Sequence, residues 1–258
     1  FIFFVELGIF FSVYYVRRPS SAGLILLGVA TGFSILTKWL PGLLVIAVLF
    51  LLLFYKESWK KAILHSLVVF AIAFIVFIPW QIYIYSAFPK ESAWESYFNY
   101  KHLFEPLDGH DGTVFYQIAM MPRIFGELIY IPLLLFFYSL YKRQLSPDKL
   151  VLVLWFALPY LFFSFVATKM PGYVMISAPP IFIMLSWAIW AINEKTKSAK
   201  HRLAAVFLLA LLIVLPIRYS IERMKPFEYK DRNPGWTKEL RKLEGKVGAS
   251  KAAVFNVE

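Results

Sequence analysis

Two short segments hold the residues most able to do chemistry. T-K-W-L-P-G at 37–42 is echoed by T-K-M-P-G-Y at 168–173. Each puts a lysine just ahead of a Pro-Gly turn. Lys38 and Lys169 would offer point charges to a phosphate, and Tyr173 a hydroxyl donor. The ordinary explanation is local: Pro and Gly end a helix, and a lysine there complements the dipole while its stem snorkels. Arg123, beside Pro122, could add a bidentate phosphate partner, unless Glu127 one turn on pairs with it. A second cluster comprises His102 and His110 with Glu105, Asp108 and Asp111. Imidazole with carboxylates can act as acid and base or hold a divalent metal. The spacing matches no standard metal motif, and a polar turn bent at Gly109 and Gly112 explains it equally. His65 and His201 read as structural or solvated.

The elements that must position these groups follow from composition. Of 258 residues 60% are hydrophobic, 26 are Phe, and only 17% are charged. A soluble domain of that size could not bury so much apolar surface, and a disordered chain would not contain it. With no Cys, disulfide frameworks, thiolate metal sites and cysteine nucleophiles are excluded. The expected fold class is an all-α polytopic membrane protein, because lipid-facing backbone must satisfy its own hydrogen bonds. Eight spans are predicted, at 1–16, 22–37, 43–55, 62–84, 124–141, 150–167, 172–192 and 203–217. Glu6 lies within the first, and an ionisable group there is a site candidate by default.

Charge sets the orientation and accounts for the net +11 without nucleic acid. One set of loops carries Arg17, Arg18, Lys56, Lys60, Lys61, Lys142, Arg143, Lys149, Lys195, Lys197, Lys200 and Arg202. The alternate loops carry Lys38, Lys90, Lys101, Arg123 and Lys169, so the ratio is twelve to five. The first set is cytoplasmic by the positive-inside bias, and both turn lysines fall on the outer face. A span of only 16 residues at the start, and an ending in K-A-A-V-F-N-V-E, lead us to expect a fragment truncated at both ends.

Two domains are expected. Residues 1–218 form the membrane part, incomplete at its N-terminus, with an aromatic external loop at 85–123. Trp94, Tyr97, Phe98, Tyr100, Phe104, Phe115 and Tyr116 suit that loop to the headgroup boundary. An amphipathic belt helix followed by a turn at Asp108-Gly109 is its simplest form. Residues 219–258 read as the start of an extracytoplasmic α/β tail, with a helix near Thr237–Leu243 and a strand at Ala252–Phe255.

The order of motifs resembles a known family. L-T-K-x-x-P-G at 36–42 is followed by I-P-W at 78–80, an aromatic external segment from Tyr97 to His102, and S-x-x-x-x-K-x-P-x-Y at 164–173. Together they resemble the membrane half of C-type glycosyltransferases of the family 39 type. The bacterial branch concerned is related to protein O-mannosyltransferases and to aminoarabinose transferases of lipid A, and the resemblance covers most of residues 1–192. It implies a multi-pass inner-membrane enzyme that moves a sugar from a polyprenyl-phosphate donor to an extracytoplasmic lipid, glycan or protein acceptor by one inverting displacement. It also implies that Tyr173 holds carrier phosphate, that His102 is the external histidine of the metal or phosphate region, and that Lys38 and Lys169 are the turn lysines. Where the family often has Glu before that His and Arg after it, this chain has Lys101 and Leu107, which leaves Arg123 as the substitute arginine. The catalytic Asp or Glu of such enzymes belongs to an external loop expected upstream of residue 1. Two other readings stay open: a transporter or flippase of a lipid-linked or anionic substrate, and a polymerase or ligase of lipid-linked glycans.

Overall fold

A computed structural model of the protein describes residues 1–107, 109–142, 146–195, 199–229 and 242. Ten α-helices form it: α1 (Ile2–Arg17), α2 (Ser21–Lys38), α3 (Leu44–Lys56), α4 (Trp59–Ala87), α5 (Pro89–Phe104), α6 (Tyr116–Phe125), α7 (Tyr130–Lys142), α8 (Pro147–Phe165), α9 (Ala178–Lys195) and α10 (Ala199–Tyr229). Tight 3-10 turns lead into α3 (Leu40–Leu43) and α9 (Pro171–Ser177). Among the described residues five helical stretches are long and apolar enough to cross a bilayer, and α6 with α7 would make a sixth if that bent pair is one span. The chain is a multi-pass membrane protein.

Apolar residues on helices that cannot rely on a hydrophobic drive within lipid must pack by close approach. Gly28 and Gly32 do this on α2. A Cβ at Gly28 would lie 2.6 Å from Ile72 Cβ, and one at Gly32 would lie 2.5 Å from Val76 Cβ, so α2 and α4 touch backbone to side chain over a full turn. Leu27, Val45, Leu49, Val69 and Trp155 are buried in one core joining α1–α4 to α8. A second core, with Phe125, Phe136, Tyr160, Ile181 and Met184, joins α6–α9.

The helix ends fall on two opposite rims. On one, Arg17 at the end of α1 pairs with Asp148 in the first turn of α8 at 2.5 Å. Lys56 at the end of α3 donates to the Val16 carbonyl there. Ser20, Ser58 and Ser146 cap α2, α4 and α8 on that same rim. Each places a hydroxyl on an otherwise orphaned N–H. On the opposite rim the Lys38 ammonium lies 5.7 Å from the Phe1 ring and 6.0 Å from the Tyr173 ring.

One expectation changes and two gain detail. The span at 124–141 is broken: Gly126, at φ +90°, separates α6 from the stretch beginning at Glu127, and the two are bent by 114°. That φ is open to glycine and strained for other residues, which is why the break falls there. The region 85–123 is largely helical, with α5 and α6 joined by a short irregular segment. Finally, α10 continues past 218 to Tyr229, because the polar residues after Arg218 still favour helix. Apart from Lys242, the expected helix near Thr237–Leu243 lies outside the described residues, as do the strand at Ala252–Phe255 and the turn residue Asp108.

Candidate functional site

Both T-K turns end a helix at the rim opposite Arg17, but they are built differently. In the first, Thr37 donates back to the carbonyls of Phe33 and Ser34 in its own helix. Trp39 takes φ +49° and Gly42 backs onto Ile35, where a Cβ would meet backbone at 2.6 Å. This tight reversal leaves Lys38 exposed at the end of α2. In the second, Thr168 is fully buried and reaches across to the end of α5. Its hydroxyl donates to the Glu105 carbonyl at 2.9 Å and accepts from the Leu107 N–H at 3.2 Å. His102 Nδ1 lies 3.1 Å from the same oxygen. Backbone bonds run alongside, from Ala167 to Leu103, from Thr168 to His102 and from Lys169 to His110. The turn and the segment after α5 are therefore laced together like two short strands.

Lys169 is buried, with 4% of its surface exposed. Its ammonium turns inward and donates to the carbonyls of Ser164 at 2.6 Å and Phe163 at 3.3 Å. These are orphan acceptors at the end of α8, a favourable seat for a cation. Burial lowers its pKa from the ordinary value. Tyr173 is half-buried, its ring 4.9 Å from that of Phe163. Lys38 and Tyr173 thus meet, while the Lys169 ammonium serves α8.

Of the remaining expected site residues, His102 stands at the top of an aromatic ladder on α5. Trp94 stacks on Phe98 at 4.9 Å, and Phe98 meets the imidazole edge-on at 4.7 Å. His110 joins the site through its carbonyl, and Asp111 is exposed. Among the described residues no three of His, Asp and Glu gather as a metal site. Arg123 is exposed on α6, with Nη1 3.9 Å from Met120 Sδ. Glu127 is not its partner, since it pairs with Arg218 of α10 at 2.9 Å; the Gly126 bend turns it away from α6. Glu6 is exposed on α1, and Lys101 pairs with Glu105 at 3.2 Å.

The structure adds residues that spacing alone did not single out. Gln117 of α6 is fully buried and donates to the Met170 carbonyl at 3.1 Å, the same oxygen that accepts from the Tyr173 N–H at 3.2 Å. Its Oε1 has no partner among the described residues. Two cavities flank the Lys38–Tyr173 meeting point. One, of about 670 Å³, lies between the outer ends of α2 and α4 and the face of α5 carrying Ser92, Glu95, Ser96 and Asn99. The other, of about 330 Å³, is lined by apolar groups that include Leu44, Ala47, Leu158 and Phe162. Both touch Leu40 and Leu103, while Lys38 lines the first and Phe163 the second. The Tyr173 ring lies between one residue of each lining, 4.9 Å from the ring of Phe163 and 6.0 Å from the Lys38 ammonium.

No protein-family model matches the chain. Among curated proteins it is 30% identical, over 179 residues and 66% of its length, to the undecaprenyl phosphate-alpha-4-amino-4-deoxy-L-arabinose arabinosyl transferase of Enterobacter sp. (strain 638), covering 31% of that protein. To the second such transferase of Pseudomonas fluorescens (strain Pf0-1) it is 27% identical over 65% of its own length and 31% of the relative. To the enzyme of Pseudomonas paraeruginosa (strain DSM 24068 / PA7) the figures are 24%, 82% and 40%. The chain spans between 31% and 40% of the length of these relatives. Its fold matches the crystal structure of ArnT from Cupriavidus metallidurans bound to undecaprenyl phosphate, at a TM-score of 0.55 and 19% identity, over 86% of this chain and 47% of that one. The family resemblance drawn from motif order is thus the one its homologues carry: they are aminoarabinose transferases of the C type.

Proposed function

We propose that the protein to which this chain belongs is a membrane glycosyltransferase, moving a sugar from a polyprenyl-phosphate donor to an extracytoplasmic acceptor, with a lipid favoured. The observation that carries this reading is that Lys38, beside the Tyr173 ring, lines a polar cavity that shares Leu40 and Leu103 with an apolar one. A polyprenyl-phosphate sugar has an apolar chain, an anionic linkage and a polar head in that order. The apolar cavity suits the chain, the ammonium and phenol suit the phosphate, and the polar cavity suits the sugar. The named activity of the relatives favours transfer over transport without chemistry.

In the displacement, an activated acceptor attacks the anomeric carbon as the bond to phosphate breaks. Lys38 and Tyr173 stabilise the negative charge that grows on the leaving phosphate, which is how fixed cations and donors lower such a barrier. Lys169 contributes by holding the end of α8, and therefore the turn that carries Tyr173. Arg123 is on the same outer face and would serve the phosphate on substrate binding. We place the active face, and the segment after α10, on the extracytoplasmic side of the inner membrane.

The test is transfer by the full-length enzyme from a polyprenyl-phosphate sugar. Lys38→Met and Tyr173→Phe should each lower kcat/KM by about 10- to 100-fold, the worth of a hydrogen bond to a charged group. Thermal unfolding should be unchanged in both. Normal transfer by both variants would remove the phosphate site from this meeting point.

A further inference from the structure

A third cavity lies away from Lys38 and Tyr173, as an open groove between α3 and α4. It measures about 610 Å³ and is walled by Ile46 and Phe50 of α3 and by Ile63, Leu67 and Phe70 of α4. From Ile63 to Phe70 it follows α4 for about 10 Å, at 1.5 Å per residue. In a bilayer any open apolar groove meets hydrocarbon, so these walls alone name no ligand. Two polar groups do.

The first is Ser66. It lines the groove, is 8% exposed, and its hydroxyl has no partner among the described residues. Ser12 and Thr31 instead donate to the carbonyls of Gly8 and Leu27, one turn back in their own helices. A buried hydroxyl left unpaired costs about 1–3 kcal/mol. An acceptor carried by the occupant of the groove would relieve that cost.

The second is Lys60. Trp59 and Lys60 precede Ile63 by four and three residues, which puts them on the stripe of α4 that carries the groove. The Lys60 ammonium lies 5.8 Å from the Trp59 ring. Its neighbours are engaged: Lys56 donates to the Val16 carbonyl, and Lys61 pairs with Glu57 at 2.9 Å. Lys60 has no ion pair among the described residues. An exposed Trp and Lys at the end of an apolar helix meet lipid headgroups. Six residues of helix, about 9 Å, separate Lys60 from Ser66.

A glycerophospholipid carries a phosphate, ester carbonyls and acyl chains in that order. We propose that the groove binds one anionic phospholipid. Its phosphate sits at Lys60, an ester carbonyl accepts from Ser66, and an acyl chain lies between α3 and α4. With Glu57 already neutralised by Lys61, the remaining positive charge favours an anionic headgroup over a zwitterionic one. On the orientation proposed above, this lipid belongs to the cytoplasmic leaflet. The groove shares Leu43 and Ala47 with the smaller apolar cavity, so a polyprenyl chain is the rival occupant.

Native mass spectrometry of the full-length protein, with phosphatidylglycerol or phosphatidylcholine of matched chains, measures the lipid retained. The wild type should hold one phosphatidylglycerol about tenfold more tightly than phosphatidylcholine, and Lys60→Met should bring that ratio to about one. A dialkyl-ether phosphatidylglycerol lacks the ester carbonyls. The wild type should bind it about fivefold more weakly than the ester lipid, and Ser66→Ala should bind the two equally. Each ratio compares two lipids on one variant, so a loss of stability does not imitate either result. An unchanged headgroup ratio in Lys60→Met, or equal binding of ester and ether lipids by the wild type, overturns the site. Displacement of the retained phosphatidylglycerol by an equivalent of undecaprenyl phosphate also overturns it, and assigns the groove to a polyprenyl chain. Failure of the wild type to retain any phospholipid overturns it too, the groove then being covered by protein.

Discussion

The two turn lysines share a sequence context and have opposite fates, so substitution should separate them. Lys169→Met leaves the carbonyls of Phe163 and Ser164 without their buried donor, at a cost of about 1–3 kcal/mol. A lower unfolding temperature is expected, which Lys38→Met should not show. The sign of the pH dependence also follows. The folded-state pKa of Lys169 lies below its ordinary value, so the native state releases its proton first. The penalty for burying the ammonium is complete below the folded pKa and is relieved as pH rises through it toward the unfolded value. Stability scans of the wild type against Lys169→Met should therefore draw apart on the alkaline side, the wild type gaining stability there and the variant not. Thr168→Val removes the partner shared by Leu107, Glu105 and His102. Loss of about 1–3 kcal/mol is expected, with faster proteolysis after α5 as its local sign. The meeting of Lys38 with Tyr173 was legible in the sequence, because both turns fall at outward helix ends and carry the same residue types. The inward turn of Lys169 was not, since a lysine at a helix end reads the same whether its ammonium seeks water, phosphate or backbone.

At the scale of elements, α2 and α4 depend on the absence of two side chains. Gly32→Leu forces the helices apart where a Cβ alone would lie 2.5 Å from Val76. Overpacking of this kind costs about 1–3 kcal/mol. Because the outer ends of α2 and α4 wall the polar cavity, donor affinity should fall along with the unfolding temperature. Gly126→Ala tests the bend between α6 and the stretch after it; at φ +90° an alanine is strained by about 1–3 kcal/mol. Most residues of the expected spans are helical, because long apolar runs in lipid have no other solution, while five helical stretches, or six with the bent pair, are long and apolar enough to cross. The break at Gly126 escaped detection because neither flank loses apolar character. The polar face of α5 was within reach: Ser92, Glu95, Ser96 and Asn99 recur at three- and four-residue intervals. The interleaved aromatic residues mask it in the sequence, since aromatics at a headgroup boundary suggest membrane contact first.

For the whole molecule, sidedness is the property on which the site depends, and the lack of cysteine makes it measurable. Single cysteines introduced as Asn99→Cys and Lys60→Cys should respond oppositely to an impermeant maleimide in intact cells. The first should label and the second only after permeabilisation; the reverse result would place Lys38 and Tyr173 on the cytoplasmic rim.

At 29 residues, α4 is about 44 Å long at 1.5 Å per residue, against about 30 Å of hydrocarbon. Trp80, Gln81 and Tyr85 occupy its final turns, so in the orientation we propose the wall they build would stand at the outer edge of the acyl region like a post. On the proposed function, a carrier lipid engaging that post would be drawn partly out of its leaflet. Turnover in vesicles should accordingly respond to acyl-chain length, with thicker bilayers submerging the post and slowing the reaction.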